Sequence, residues 1–143
     1  MKKRDRIIYW IATIWLSLGM VVTGTGQIIK MKDGQGGVDM ITHLNYPVYL
    51  LTILGVWKIL GVIAVLIPGF PLLKEWAYAG FFFLMTGAMF SHIAIGDSVA
   101  ALFPSLLLLV LAVASWYFRP AERKIILANS KTIVARETSL SSL

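Results

Sequence analysis

Four ionisable side chains stand out in a chain that is 58% hydrophobic and 14% charged: Lys58, His92, Asp97 and His43. Lys58 lies near the middle of Pro47 to Ile67, PVYLLTILGVWKILGVIAVLI, where Thr52 is the other polar residue. At ~1.5 Å per residue such a run covers a hydrocarbon core of roughly 30 Å. The ammonium group then falls close to the bilayer centre, where insertion scales put its cost at roughly 2.5–3.5 kcal/mol. A lysine there can be charged and hydrated in a cavity, neutral, or snorkelling toward an interface. Snorkelling is hardest, because the side chain reaches only ~6 Å and the interface is about 15 Å away. An internal functional cavity is one reading; a structural hydrogen bond to a backbone carbonyl, Ser17 or Thr86 is the other. Gly55 and Gly61 flank Lys58 on its helix, so a neighbouring backbone, a water or a ligand can come close.

The chemistry open to these groups is hydrogen-bond donation and proton transfer. Lys58 would donate to a carbonyl or anionic oxygen, and His92 would donate or relay a proton. Trp57 and Phe83 are candidate walls of a pocket. Asp97 follows His92 closely, and His43 belongs to the loop that could fold over the same end, which suggests a polar funnel with Lys58 at its floor. No metal site is expected, because no HxxxH or ExxH spacing puts ligands on one helical face. The chain has no cysteine, which excludes disulfides, thiolate metal sites and CxxC redox chemistry. A nucleophile elbow, a phosphate loop and a glycosidase-like carboxylate pair are also missing, so hydrolase readings have no support.

Four span-length segments must position these groups: about 7–26, 47–67, 76–95 and 99–118. The first follows MKKRDR and is too long for a typical signal-peptide core, so an uncleaved helix is expected. Residues 27–46 are a polar excursion broken by DGQGG, with a short helix that Asp39 could cap and Pro47 could end. PGFPLLKE makes a tight turn, after which Trp76 and Tyr78 read as interface anchors. Residues 121–143 are a basic tail, lying on headgroups or unstructured. Lys2, Lys3, Arg4, Arg6, Lys74, Arg119, Arg123, Lys124, Lys131 and Arg136 fall on one side, against Lys30 and Lys32 on the other. Positive loops stay inside, so both termini and the 68–75 turn are expected in the cytoplasm. The formal charge of +6 therefore reports topology, and no nucleic-acid partner is expected. Stripes of small residues, including Ala12, Gly19 and Thr23, Gly55 and Gly61, Gly80 and Gly87, and Ala112 and Ser115, predict close helix packing. The expected fold is an all-α integral membrane four-helix bundle.

The phrases HLNYP, LGVWKILG, PGFPLLKEWAYAGF and SHIAIGD, together with the KKRDRIIYWIAT start, resemble the DoxX-like family of small bacterial four-helix membrane proteins over about residues 1–120. Lys58, Glu75, Tyr78, His92 and Asp97 lie at positions that match those phrases. The resemblance implies a multi-pass protein of the cytoplasmic (inner) membrane, in a family named after a subunit linked to quinone-dependent thiosulfate oxidation. The leading expectation is a bundle that binds a small amphipathic or quinone-like molecule as part of a redox or stress-related system. The alternatives are an assembly protein docking a membrane partner subunit, or a small transporter acting as a homo-oligomer.

Overall fold

The computed structural model describes residues 1–142, with the backbone alone for 126–131. Regular structure among the described residues is helical: α1 (Lys3–Ile28), α2 (Val38–His43), α3 (Leu50–Leu66), α4 (Pro71–Ala94), α5 (Val99–Tyr117) and α6 (Ile125–Ser141), with a 3-10 turn at Ala121–Arg123. α1, α4 and α5 are long and apolar enough to cross a membrane, and α3 is a shorter apolar helix. α1 packs on α3 and α5, and α4 packs on the same two. Gly24 near the end of α1 meets Gly55 near the start of α3, while Arg123 touches both Tyr9 and the Val65 carbonyl at the opposite end. α1 and α3 are therefore antiparallel, and the short links 67–70 and 95–98 reverse the chain twice more. One end carries α2, and the other carries the start of α1 and the chain leaving α5.

Local chemistry sets the boundaries, and several differ from the sequence expectation. α3 begins at Leu50 rather than Pro47 because residues 47–49 form a tight turn, each accepting a bond from the amide three residues on. α4 begins at Pro71 rather than Trp76. Gly69 (φ 78°) and Phe70 (φ 49°) turn the chain through left-handed conformations, and Pro71, with φ already helical, starts the helix. α2 is not capped by Asp39: Gly37 occupies that position and Asp39 lies in the first turn, where a negative charge suits the helix dipole. It ends at His43, before a left-handed Asn45 (φ 62°), and not at the Tyr46–Pro47 boundary.

The core is an apolar layer of Leu16, Met20, Val62, Val65, Phe81, Met85 and Ala112, with Tyr78 at its edge. Tyr78 is thus no interface anchor, being 4% exposed, whereas Trp76 is 68% exposed. Polar groups lie on both sides of this layer. At the terminal end Ser115 Oγ is 2.6 Å from both Thr13 Oγ1 and Tyr78 Oη. Nearby, the fully buried Lys74 donates to the Ala64 and Val65 carbonyls at 2.9 and 3.1 Å and to that of Ile67. Those carbonyls end α3 and have no helical amide to bond, so the lysine closes the helix end.

The glycine stripes divide into two kinds. A Cβ on Gly55 would stand 2.6 Å from the Gly24 carbonyl oxygen, so α1 and α3 approach with almost no gap. Gly61 is similarly closed by the Phe81 ring at 2.6 Å, and Gly19 by Leu108 at 2.7 Å. Gly80 and Gly87 face open space instead, so the α4 stripe makes no seam within the chain. Gly55→Ala must push two backbones apart and is expected to destabilise the detergent-solubilised protein by about 1–3 kcal/mol. Gly80→Ala should be neutral or slightly stabilising, since alanine favours the helix. Thermal unfolding of the two variants side by side checks both; equal behaviour would contradict the close α1–α3 contact.

Candidate functional site

The tight Gly24–Gly55 contact has a direct chemical consequence one residue away. It brings Thr23 within reach of α3, and Lys58 Nζ donates to Thr23 Oγ1 at 3.1 Å. The threonine proton is already directed to the Gly19 carbonyl at 2.7 Å, leaving its oxygen free to accept. Lys58 is 6% exposed, and no ion pair includes it among the described residues. An ammonium has three donors, and among the described residues this one has a single neutral acceptor. Neither Ser17 nor Thr86 is its partner: the Thr86 hydroxyl bonds back to the Phe82 and Phe83 carbonyls.

Lys58 lines a cleft of about 450 Å³ that runs toward the α2 end. Thr23 and Gln27, one turn apart on α1, form its polar wall with Lys58. The Gln27 side chain is buried, and its Oε1 has no hydrogen-bond partner among the described residues. Such an amide pays a desolvation penalty of about 1–3 kcal/mol unless something enters to meet it. The remaining wall is mostly apolar, from Leu54, Phe83, Leu84, Met85 and Leu108, with Met40, Ile41 and Leu44 of α2 contributing near the loop end. The volume and this lining match the usual small-molecule site, an apolar cavity with few polar groups. Pro104 and Ser105 of α5 complete the lining on the far side.

At the α2 end, Asp97 joins two histidines. His92 Nδ1 donates to Asp97 Oδ2 at 2.6 Å, and His43 Nε2 donates to Asp97 Oδ1 at 2.8 Å. Hydrogen bonds from His92 and then His43 hold the Asp97 carboxyl below its ordinary value of 3.8. Since Nδ1 of His92 is engaged by the carboxylate, its Nε2 is the nitrogen left for other chemistry. His92 is 4% exposed and lines both the main cleft and a shallower, open one of about 420 Å³ beside Asp97 and His43. Tyr46 Oη meets Ser91 Oγ at 2.9 Å, a second tie between the α2 segment and α4. No three His, Cys, Asp or Glu side chains among the described residues are placed to hold a metal ion.

Of the residues singled out from sequence, Lys58, His92 and Phe83 line the main cleft together. Asp97 and His43 stand beyond its rim and reach it through His92. Trp57 points away: it is 67% exposed and lines a separate groove between α3 and α4, which Lys58 and Phe83 also border. Thr23 and Gln27 were missed as site residues because an apolar run followed by a glycine loop reads as helix end. Their spacing of four, one helical turn, was the available signal. Lys74 was missed because a lysine in a turn reads as solvated.

The Asp97 bridge makes α2 sensitive to acid. Its folded carboxyl value is depressed, so its contribution is fully present above the ordinary 3.8 and lost as pH falls through the lower folded value. Hydrogen-exchange protection factors of α2 amides should fall as the pH drops below about 4. Asp97→Asn should lower protection throughout and flatten that dependence. An Asn variant as protected as the parent would mean the bridge does not hold α2.

The family model described as the DoxX-like family matches residues 11–115, from α1 through most of α5, and so includes Lys58, His92 and Asp97. No curated protein and no solved structure matches the chain. With three helices able to cross a membrane, and a family match over most of its length, the chain is a membrane protein and belongs to the DoxX-like family.

Proposed function

We propose that α1, α3, α4 and α5 form a four-helix transmembrane bundle in the cytoplasmic membrane, with both termini inside, and that its cleft binds a small amphipathic, quinone-like molecule for a redox or stress-related system. The observation that carries this reading is a buried ammonium with one neutral partner beside a buried, unpartnered amide, both on the wall of one apolar cleft. A carbonyl or phenolic oxygen fits the unused donors of Lys58, and a hydroxyl on the same ring fits the Gln27 amide oxygen. The ligand's apolar part would lie against Phe83, Leu84 and Leu108. His92, held through Nδ1 by Asp97, would present Nε2 as donor or acceptor toward the ligand. His43 acts through Asp97, and Trp57 faces lipid.

The bases clustered at the terminal end support this orientation, with α2 and the cleft mouth outside. α3 needs its flanking turn to complete a crossing, since it has 17 residues, at the short end of the usual range. The apolar layer of Leu16, Met20, Val62, Phe81 and Met85 lies beneath the cleft, which favours a blind binding pocket over a transport pathway. One observation favours a second reading. Gly80 borders the open groove between α3 and α4, beside Gly61 and Phe81, where a helix of another membrane subunit could pack closely.

Binding of a ubiquinone or menaquinone analogue to the purified protein tests the leading reading. Saturable binding is expected, weakened at least tenfold in Lys58→Met and less strongly in Gln27→Leu. Absence of binding at saturating analogue, or binding unchanged in Lys58→Met, would contradict it. A partner that co-purifies stoichiometrically and is lost in Gly80→Leu would support the second reading.

A further inference from the structure

We propose a second ligand site, at the terminal end, that takes the phosphodiester of an anionic phospholipid. A pocket of about 680 Å³ lies between the start of α1, the start of α4 and the chain leaving α5. Its lining includes Arg4, Glu75, Trp116, Phe118, Arg119 and Lys124. Arg119 is the buried cation among them, at 3% exposure. Its Nε donates to the Trp116 carbonyl at 3.2 Å and its Nη2 to Glu75 Oε1, while Nη1 has no hydrogen-bond partner among the described residues. The guanidinium carbon lies 5.1 Å from the Tyr78 ring centroid, so the ring face shields part of the charge.

The acids of the pocket are already engaged. Glu75 accepts from Arg119 on one oxygen and from Trp116 Nε1, at 2.8 Å, on the other. Asp5 pairs with Arg4 at 3.4 Å, an exposed contact that an incoming anion can displace at little cost. Lys124 holds the Tyr117 carbonyl at 3.4 Å, a distance too long for a strong bond. Three cations thus line one cavity, one of them carrying a guanidinium N–H unmet among the described residues, and a phosphate oxygen is the acceptor such a set recognises. The place selects the source. Trp116 and Tyr117 are substantially exposed at the end of α5, the level at which aromatic side chains meet lipid headgroups. Phospholipid phosphates lie at that depth, and basic pockets beside transmembrane helices hold anionic headgroups. Trp116, Phe118 and Ile125 add apolar surface for the glycerol and upper acyl chain.

The test uses the delipidated full chain in neutral detergent, titrated with short-chain phosphatidylglycerol, short-chain phosphatidylcholine or inorganic phosphate while thermal unfolding is followed. Phosphatidylglycerol should raise the midpoint saturably, with the other two needing at least tenfold higher concentration. The double variant Arg4→Gln, Lys124→Gln keeps Arg119 and Glu75 paired, so its lipid-free midpoint should be unchanged. The phosphatidylglycerol requirement should rise on the order of tenfold. Phosphatidylcholine acting as well as phosphatidylglycerol would overturn the anionic site. Inorganic phosphate acting as well would overturn the lipid assignment, and an unshifted double variant would remove these residues from the site.

Discussion

A cation held in an apolar interior without a carboxylate is the constraint on which the rest of this structure depends. Lys58 stands midway along the apolar α3, and its one hydrogen-bond partner among the described residues is a threonine hydroxyl on the neighbouring helix. That partner is available because two glycines let α1 and α3 touch at the backbone. The cleft follows from the same contact. With α1 and α3 drawn together at Gly24 and Gly55, the polar row Thr23–Gln27 and the lysine share one wall, and α4 and α5 close the other with aliphatic and aromatic groups. The arrangement leaves hydrogen-bonding capacity unused in a place water enters at a cost, and the proposed ligand site rests on that feature.

Polar groups are sorted into two tiers by the apolar layer between them. The tier toward α2 holds Lys58, Gln27 and the His43–Asp97–His92 bridge, all directed at or around the cleft. The tier toward the termini is structural where it is deepest. There Ser115 joins Thr13 and Tyr78 across three helices, and Lys74 closes the end of α3. Near the surface the same tier ends in Arg119, Glu75 and Arg123, where Arg123 stacks over Tyr9 and Trp10. Lys58 and Lys74 show how context decides: sixteen residues apart on consecutive helices, one meets three backbone carbonyls and the other a single hydroxyl.

Much of this was legible in the sequence, for identifiable reasons. Long apolar runs with polar breaks mark helices by length alone, so α1, α4 and α5 were visible, as was the family likeness carried by short phrases around Lys58 and His92. The pairing of His92 with Asp97 was within reach because five residues across a tight helix end bring them together. What could not be read were contacts made by geometry between distant segments. Thr23 as the partner of Lys58 depends on the Gly24–Gly55 approach, and His43 reaches Asp97 only because α2 folds back over the rim. Tyr78 as a buried hydroxyl, Trp57 facing outward and the open faces of Gly80 and Gly87 depend on helix rotation, which periodicity fixes poorly when nearly every residue is apolar.

The state of Lys58 is where the account is most exposed to measurement. Lys58→Met keeps the length of the side chain and removes its charge. Thr23 keeps its own bond to the Gly19 carbonyl, so little is lost by deleting the lysine. Thermal unfolding of the ligand-free protein and this variant, in the same detergent at neutral pH, compares the two directly. An under-coordinated buried ammonium predicts a variant more stable by up to about 3 kcal/mol, read as a midpoint several degrees higher. A variant markedly less stable than the parent would mean that the ammonium is well paired within the fold, and the cleft around it would then be a structural contact and no ligand site.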